Sequence, residues 1–273
     1  MKLLSLKITS DFRNLKGVNL QFDPANDTYV IIGNNGTGKT NILEALSSVF
    51  SVLLAHSQDF LFSFVLRYNI EDVEYWVKHK IDTKTTEYKK NNEVVNEAGM
   101  TYPSRIVCNY SGEDTRMWNN YYKKPNEDYM NSVRTAAAPD VLSMVYIDKT
   151  MWKYVLLCML TTRNMNVAFD QFLKEKLHIA SDGINTVEMK LDEAKLRRWR
   201  AENQITLFLN QLRHRLGSNE VLASSNVEDF NPNEDDAREL FNKFIGASQV
   251  IDSLNIYYNQ GIESAFLSEG EKK

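Results

Sequence analysis

"IIGNNGTGKTNILEAL", residues 31–46, crowds three glycines and two asparagines in front of a lysine and a threonine. Gly33, Gly38, Lys39 and Thr40 fit the pattern G-x-x-x-x-G-K-[ST], in which glycine lets successive backbone N–H groups turn toward phosphate oxygens. A helix beginning near Gly38 would add partial positive charge. A chance match in a glycine-bearing turn is the alternative, on the order of one chain in a hundred at this length. The segment predicts a phosphate-binding loop.

The flanks of the loop have the order strand, loop, helix. "TYVIIG" (28–33) predicts a strand before it, and apolar residues from Ile42 to Phe50 recur at helical spacing after it. Lys39 is expected to neutralise the β and γ phosphates, and the Thr40 hydroxyl to hold Mg²⁺. Nothing in the loop selects a base. The loop residues predicted to contact nucleotide are Asn34, Asn35, Gly36, Thr37, Gly38, Lys39, Thr40 and Asn41.

Composition places the chain among ordinary globular proteins. It has 273 residues, 43% apolar and 25% charged, with a formal charge of −4 and two cysteines. Two cysteines are too few for a disulfide scaffold, and the charge gives no global attraction to nucleic acid. No signal peptide and no transmembrane helix are expected, so we predict a cytoplasmic protein.

Beyond the loop, the pattern predicts β structure and then helices. Residues 60–96 have the alternation of antiparallel strands, with Asn91 and Asn92 as a tight turn. Residues 104–112 and 143–148 predict core strands, and the second is followed by a helix through Leu160. Residues 166–246 are mainly helical, interrupted by the predicted strand "INTVEMKLD" (184–192). No internal repeat and no sustained heptads are present.

The wording of the loop resembles that of ABC-type ATPase heads of the RecF, SMC and OLD group. With the long interval that separates this loop from residues 266–273, the chain resembles most closely AAA-family ATPases found beside restriction and phage-defence genes. In those heads the loop is followed by asparagine, then leucine, glutamate and alanine, as at Asn41, Leu43, Glu44 and Ala45. The resemblance also extends to "ITSDFRNLKGVNLQF" (8–22), where Arg13 matches a basic position that lies near the nucleotide in relatives. An exposed arginine at a strand end is an equal alternative for Arg13.

The last residues, "FLSEGEKK" (266–273), resemble the ABC signature motif. The resemblance implies that Ser268, Gly270 and Glu271 contact ATP held by the other head of a dimer. A serine N-cap, a flexible glycine and helix-start N–H groups suit an anion, although a capped surface helix is the alternative. The long interval between the two motifs disfavours a transporter ATPase subunit.

The resemblance implies an α/β P-loop NTPase fold of the ABC-head type, with an antiparallel β lobe and a helical subdomain. We expect an ATPase core with the β lobe at 1–165, a helical insertion at 166–246, and a return to the core at 247–273. Relatives carry an acidic Walker B strand after the signature, so the chain is expected to be truncated before it and to hydrolyse ATP slowly at best. "MVYIDK" (144–149) offers only Asp148, which we interpret as the end of a core strand.

Two functions remain open. The first is an ATP- and Mg²⁺-binding head whose ATP-dependent dimerisation gates a DNA-acting, nuclease or defence effector; the second is a non-catalytic nucleotide-sensing scaffold that controls a partner protein. Either would act with a second head, as a homodimer or higher assembly, and not with a membrane. A basic stretch at 190–215 could contact DNA, but a solvated helix face is favoured.

Overall fold

The computed structural model describes residues 1–110, 115–148, 150–179, 183–217, 221–258 and 262–263. By internal contacts the chain divides into two units. The first comprises Met1–Val107, Asp114–Pro125 and Ser143–Val145; the second comprises Cys108–Glu113, Asn126–Leu142 and Tyr146–Lys273. These units cut across the bounds expected from the sequence, 1–165, 166–246 and 247–273, which remain a proposal.

The first unit is built on an antiparallel sheet of six strands in the order β2-β1-β3-β4-β5-β6. The strands are β1 Lys2–Ile8, β2 Asn19–Gln21, β3 Phe64–Ile70, β4 Val73–Lys80, β5 Thr85–Lys90 and β6 Glu93–Val95. The predicted turn between β5 and β6 is confirmed, since Asn91 and Asn92 both have positive φ, 47° and 67°. This is the backbone shape that tight hairpins need and that asparagine tolerates.

One face of this sheet buries a row of apolar residues in register. Leu6 pairs with Leu66, Leu66 with Val77, and Val77 with Tyr88. Helix α1, Lys39–Leu54, adds Ala45, Val49 and Leu53 to the same hydrophobic cluster. Because side chains alternate across a strand, this register places the whole row in the core. Packing against this row sets the position of α1.

The predicted strand at 28–33 is wrong. Residues 28–34 are not in a strand, and Val30 and Ile32 are 78% and 90% exposed. Among the described residues no strand pairs with this segment. Alternating β-branched residues form a strand only when a neighbour completes the hydrogen-bond ladder, so the local pattern alone did not suffice.

The second unit packs helices around a four-stranded antiparallel sheet in the order β10-β9-β11-β12. Its strands are β9 Ile184–Leu191, β10 Val221–Ser224, β11 Ile251–Tyr258 and β12 Ile262–Glu263. Its helices are α2 Lys123–Thr135, α3 Trp152–Thr161, α4 Val167–Glu175, α5 Glu193–Leu196, α6 Gln204–Leu216 and α7 Ala237–Ala247. The first residues of α2, up to Pro125, belong to the first unit. Phe208 packs edge-to-face on Phe244 with centroids 5.3 Å apart, which joins α6 to α7 in this core.

The sequence-predicted strands at 104–112 and 143–148 are present as a separate pair, β7 Ile106–Asn109 and β8 Met144–Ile147. The helix predicted after the second strand is α3. No helix within the described residues has both the length and the apolar character needed to cross a bilayer. In the same residues, no group of three or more histidine, cysteine or acidic side chains is placed to hold a metal ion.

Candidate phosphate-binding site

The glycine-rich loop leads directly into α1 and depends on glycine at two positions. Gly36 and Gly38 have φ of 83° and 95°, in the left-handed region that other residues rarely adopt. A Cβ at Gly38 would lie 2.8 Å from Asn14 Oδ1 and 2.8 Å from Leu15 Cδ2. A Cβ at Gly36 would meet no atom within 4 Å. Gly38 is therefore required by both backbone shape and space, and Gly36 by backbone shape alone.

The start of α1 presents backbone donors without partners in the chain. Gly38 is the N-cap and provides no side-chain cap, and the first helical bond runs from Ile42 N to Gly38 O at 3.0 Å. Among the described residues, no acceptor binds the backbone N–H groups of residues 35, 36 and 38–41. Unpartnered N–H groups at a helix start, with the positive end of the helix dipole, form an anion-binding arrangement.

Lys39 places its ammonium across the loop. Its Nζ donates to the carbonyl oxygen of Gly33 and, at 2.7 Å, to that of Asn34. Thr37 Oγ1 also donates to Asn34 O, at 2.8 Å. The positive charge thus already lies beside the unpartnered donors, where a phosphate group would neutralise it. The residues present fit a triphosphate with Mg²⁺: backbone donors and Lys39 suit the phosphate oxygens, and the Thr40 hydroxyl is a ligand type that Mg²⁺ accepts.

A tight turn beside the loop carries Asn14, which was not predicted as part of the site. Phe12 N donates to Leu15 O at 3.1 Å and Leu15 N to Phe12 O at 2.8 Å, leaving Arg13 and Asn14 at the tip. Asn14 Nδ2 donates to Gly36 O at 3.0 Å, and Asn14 Oδ1 accepts from Asn41 Nδ2 at 2.6 Å. The signal in the sequence was weak: two polar residues between two apolar ones, with no glycine to mark the turn.

Arg13 contacts α1 rather than the loop. Its Nε lies 3.3 Å from Oε2 of Glu44, and Arg116 Nη2 lies 2.6 Å from Oε1 of the same carboxylate. Glu44 is 1% exposed, so two guanidinium groups compensate one buried charge. Burial raises the pKa of neighbouring Tyr121, and the Glu44 charge raises it further. The predicted contact of Arg13 with nucleotide stays a prediction.

The other predicted residues are distributed as follows. Asn34 and Asn35 are exposed in the loop, and Thr40 and Asn41 are partly buried in the first turn of α1. Ser268, Gly270 and Glu271 lie outside the described residues. Asp148, at the end of β8, accepts from Thr150 N at 2.8 Å, which is a local turn contact.

Three basic residues of the 190–215 stretch in the second unit are engaged in ion pairs. Lys195 pairs with Asp192 at 3.1 Å, Arg215 with Asp229 at 3.1 Å, and Arg213 with Glu193. Three further arginines of the stretch are exposed: Arg197, Arg198 and Arg200. The pairing is that of a solvated, charge-balanced face, so these contacts support the alternative favoured above over a DNA-binding helix.

Comparison with known proteins gives one family. A search of curated proteins finds no match. A solved structure of the recombination mediator protein RecF-ATP in the RecFOR pathway is similar, with 15% identity and a TM-score of 0.36, over 99% of this chain and 77% of that chain. A TM-score this low transfers neither fold nor function. The family model described as AAA ATPase domain matches residues 1–207, three quarters of the chain. The chain belongs to the AAA ATPase domain family.

Proposed function

We propose that this ATPase domain binds ATP with Mg²⁺ at the loop of residues 33–41, as the head of an ABC-type ATPase of the RecF, SMC and OLD group. The observation that carries the proposal is the unpartnered donor set at the start of α1, with the Lys39 ammonium beside it. Backbone N–H groups, the helix dipole and one lysine all favour the same ligand, a polyphosphate.

The residues would divide the work of holding the nucleotide. Lys39 and the N–H groups of residues 35, 36 and 38–41 would bind phosphate oxygens, and the Thr40 hydroxyl would hold Mg²⁺, which supplies charge neutralisation when bound. Glu44 does not serve as a base for water, because it is buried between Arg13 and Arg116. Hydrolysis therefore needs a carboxylate from elsewhere than this helix.

A nucleotide titration tests the site. Fluorescent mant-ATP with Mg²⁺ is titrated into the wild-type chain, into Lys39→Ala, and into Lys80→Ala, which removes an exposed lysine at the end of β4. Losing one charged hydrogen bond corresponds to about a 10- to 100-fold weaker affinity, and we expect this for Lys39→Ala only. Equal dissociation constants for wild type and Lys39→Ala would refute the proposal.

We further propose that ATP-dependent dimerisation of two heads, with Ser268, Gly270 and Glu271 closing on the partner's ATP, gates a DNA-related, nuclease or defence effector in the cytoplasm. Sedimentation velocity with and without ATP and Mg²⁺ tests the dimer, and Lys39→Ala should abolish an ATP-dependent shift. The alternative is a nucleotide-sensing scaffold that binds ATP without hydrolysing it. Phosphate release by the assembled protein separates the two functions.

A further inference from the structure

Asn14 joins three parts of the candidate site through one side chain. Its Nδ2 donates to the carbonyl of Gly36 in the loop, and its Oδ1 accepts from Asn41 Nδ2 in the first turn of α1. The Gly36 carbonyl can only accept a hydrogen bond, so the Asn14 amide nitrogen must face it. The Asn14 oxygen then faces Asn41, from which it accepts. Its Oδ1 also lies only 2.8 Å from the position that a Cβ on Gly38 would take, so the loop passes close to it.

The turn that carries Asn14 is anchored in the core. Phe12 and Leu15 exchange backbone hydrogen bonds and are 7% and 3% exposed. The Phe12 ring packs on Phe62 with centroids 4.3 Å apart. Arg13, next to Asn14 at the tip, is tied to the buried carboxylate of Glu44. Asn14 therefore holds the loop from a base that is fixed on both sides.

A loop with this composition needs such a hold. Gly33, Gly36 and Gly38 leave the backbone many accessible conformations. The loop loses this conformational entropy when its N–H groups converge on an anion. A peptide unit is planar, so fixing the Gly36 carbonyl also orients the N–H of Thr37, which donates to Asn34 O at 3.4 Å within the loop. If the loop is already ordered before the nucleotide binds, this entropy loss does not weaken the affinity.

We infer that Asn14 is a positioning residue that holds the phosphate loop in its anion-receptive conformation before a nucleotide binds. The Phe12–Leu15 turn is thus part of the nucleotide site, although it lies outside the glycine-rich motif. The identity of the ligand rests on the proposed function; the ordering of the loop does not.

The test uses Asn14→Ala, Asn14→Asp and a matched control, Asn19→Ala, which alters an exposed asparagine of β2. In the nucleotide-free protein, ¹⁵N relaxation reports the order of the Gly36 and Thr37 amides. We expect order parameters of about 0.85 in wild type and Asn19→Ala and below about 0.6 in Asn14→Ala. Mant-ATP should bind Asn14→Ala about fivefold more weakly, as for the loss of one side-chain hydrogen bond.

Asn14→Asp separates positioning from simple loss of a side chain. The aspartate still accepts from Asn41 but cannot donate to Gly36, and it adds a negative charge beside the phosphate site. We expect weaker mant-ATP binding than in Asn14→Ala, with the difference between the two shrinking in 0.5 M salt because exposed charges are screened. Asn41→Ala, which removes the bond from the other side, should show a partial loosening of the same amides.

Wild-type order parameters in Asn14→Ala would overturn the inference, whatever its affinity for nucleotide. If instead wild type and Lys39→Ala bind mant-ATP equally, the proposed function fails, and the relaxation measurement still decides whether Asn14 orders the loop. A fall in melting temperature of more than about 5 °C in Asn14→Ala, with relaxation changes spread over the β1–β3 sheet, would also overturn it, since Asn14 would then be a general structural residue.

Discussion

Arg116 Nη2 donates to Oε1 of Glu44 at 2.6 Å, and this carboxylate, one helical turn beyond Thr40 on α1, is 1% exposed. Arg13 lies on the other oxygen at 3.3 Å. The ion cluster joins three separate segments: the Phe12–Leu15 turn, α1, and the segment before α2. A buried charge is tolerated only when it is paired, so this cluster fixes the turn against helix α1, which follows the glycine-rich loop.

Glu44→Ala should lower the free energy of unfolding by about 2–4 kcal/mol, because it leaves a cavity and two guanidinium groups without their carboxylate. The loss is limited because the Arg13 and Arg116 side chains are 37% and 39% exposed and can regain water. Glu44→Gln keeps the volume and should lose less. Urea denaturation measures both.

The control for this prediction is Glu87→Ala, which breaks a surface pair with Lys78 at 3.8 Å. An exposed pair of this kind contributes less than about 1 kcal/mol. If Glu44→Ala and Glu87→Ala lower the free energy of unfolding equally, the buried cluster contributes no more to stability than a surface ion pair.

Gly38→Ala should destabilise the protein more than Gly36→Ala. Both substitutions force a side chain into positive φ, at a loss of about 1–3 kcal/mol. Only Gly38→Ala also places a methyl group 2.8 Å from Leu15 Cδ2 and Asn14 Oδ1, which must then move. Thermal unfolding measures which substitution lowers the melting temperature more. An equal or larger fall in Gly36→Ala than in Gly38→Ala would contradict the prediction.

His79 should make stability fall at acid pH. Its ring is 2% exposed, packs on Phe60 with centroids 4.7 Å apart, and receives or donates one bond at Thr86 Oγ1, 3.0 Å away. Burial lowers the His79 pKa below its ordinary value of about 6.5. Below that value the unfolded chain binds a proton that the folded chain does not. Stability is therefore complete above about pH 6.5 and is lost as the pH falls toward the folded pKa, by at most about 1.4 kcal/mol per pH unit.

Urea denaturation between pH 7.5 and 5 measures this dependence. His79→Phe, which keeps an aromatic ring against Phe60, should flatten part of the decline. His214→Gln changes an exposed histidine of α6 and should leave the wild-type profile. An unchanged slope in His79→Phe would show that other groups cause the acid sensitivity.

The two thiols should differ in reactivity. Burial raises the pKa of the Cys158 thiol in α3, which is 3% exposed, whereas Cys108 in β7 is partly exposed. The thiolate is the reactive form, so a native-state reaction with Ellman's reagent should label Cys108 quickly and Cys158 only on unfolding. Cys108→Ser should remove the fast phase. Its persistence in that variant would mean that Cys158 is accessible in the native state.

Local pattern predicted the elements whose geometry is set within a few residues. Helix α1 follows from the apolar spacing after Lys39, and the β5–β6 turn follows from Asn91 and Asn92, whose side chains tolerate positive φ. The family was likewise reachable from the loop and the residues that follow it, because Asn41, Leu43, Glu44 and Ala45 stand at fixed offsets from its glycines and lysine. In each case the physical requirement lies inside one short segment.

The strand expected at 28–33 shows the limit of such reasoning, since Val30 and Ile32 have the right pattern and are exposed. A hydrogen-bond ladder needs a second chain segment, and the residues of one strand do not determine where that segment lies. The same holds for Asn14: its two hydrogen bonds span 22 and 27 positions in the sequence and exist only because the Phe12–Leu15 turn is packed beside the loop. The sequence by itself determined the glycine-rich loop, the helix after it and the family. Tertiary packing alone decided which distant residues hold that loop, because contacts between segments depend on the core that brings them together.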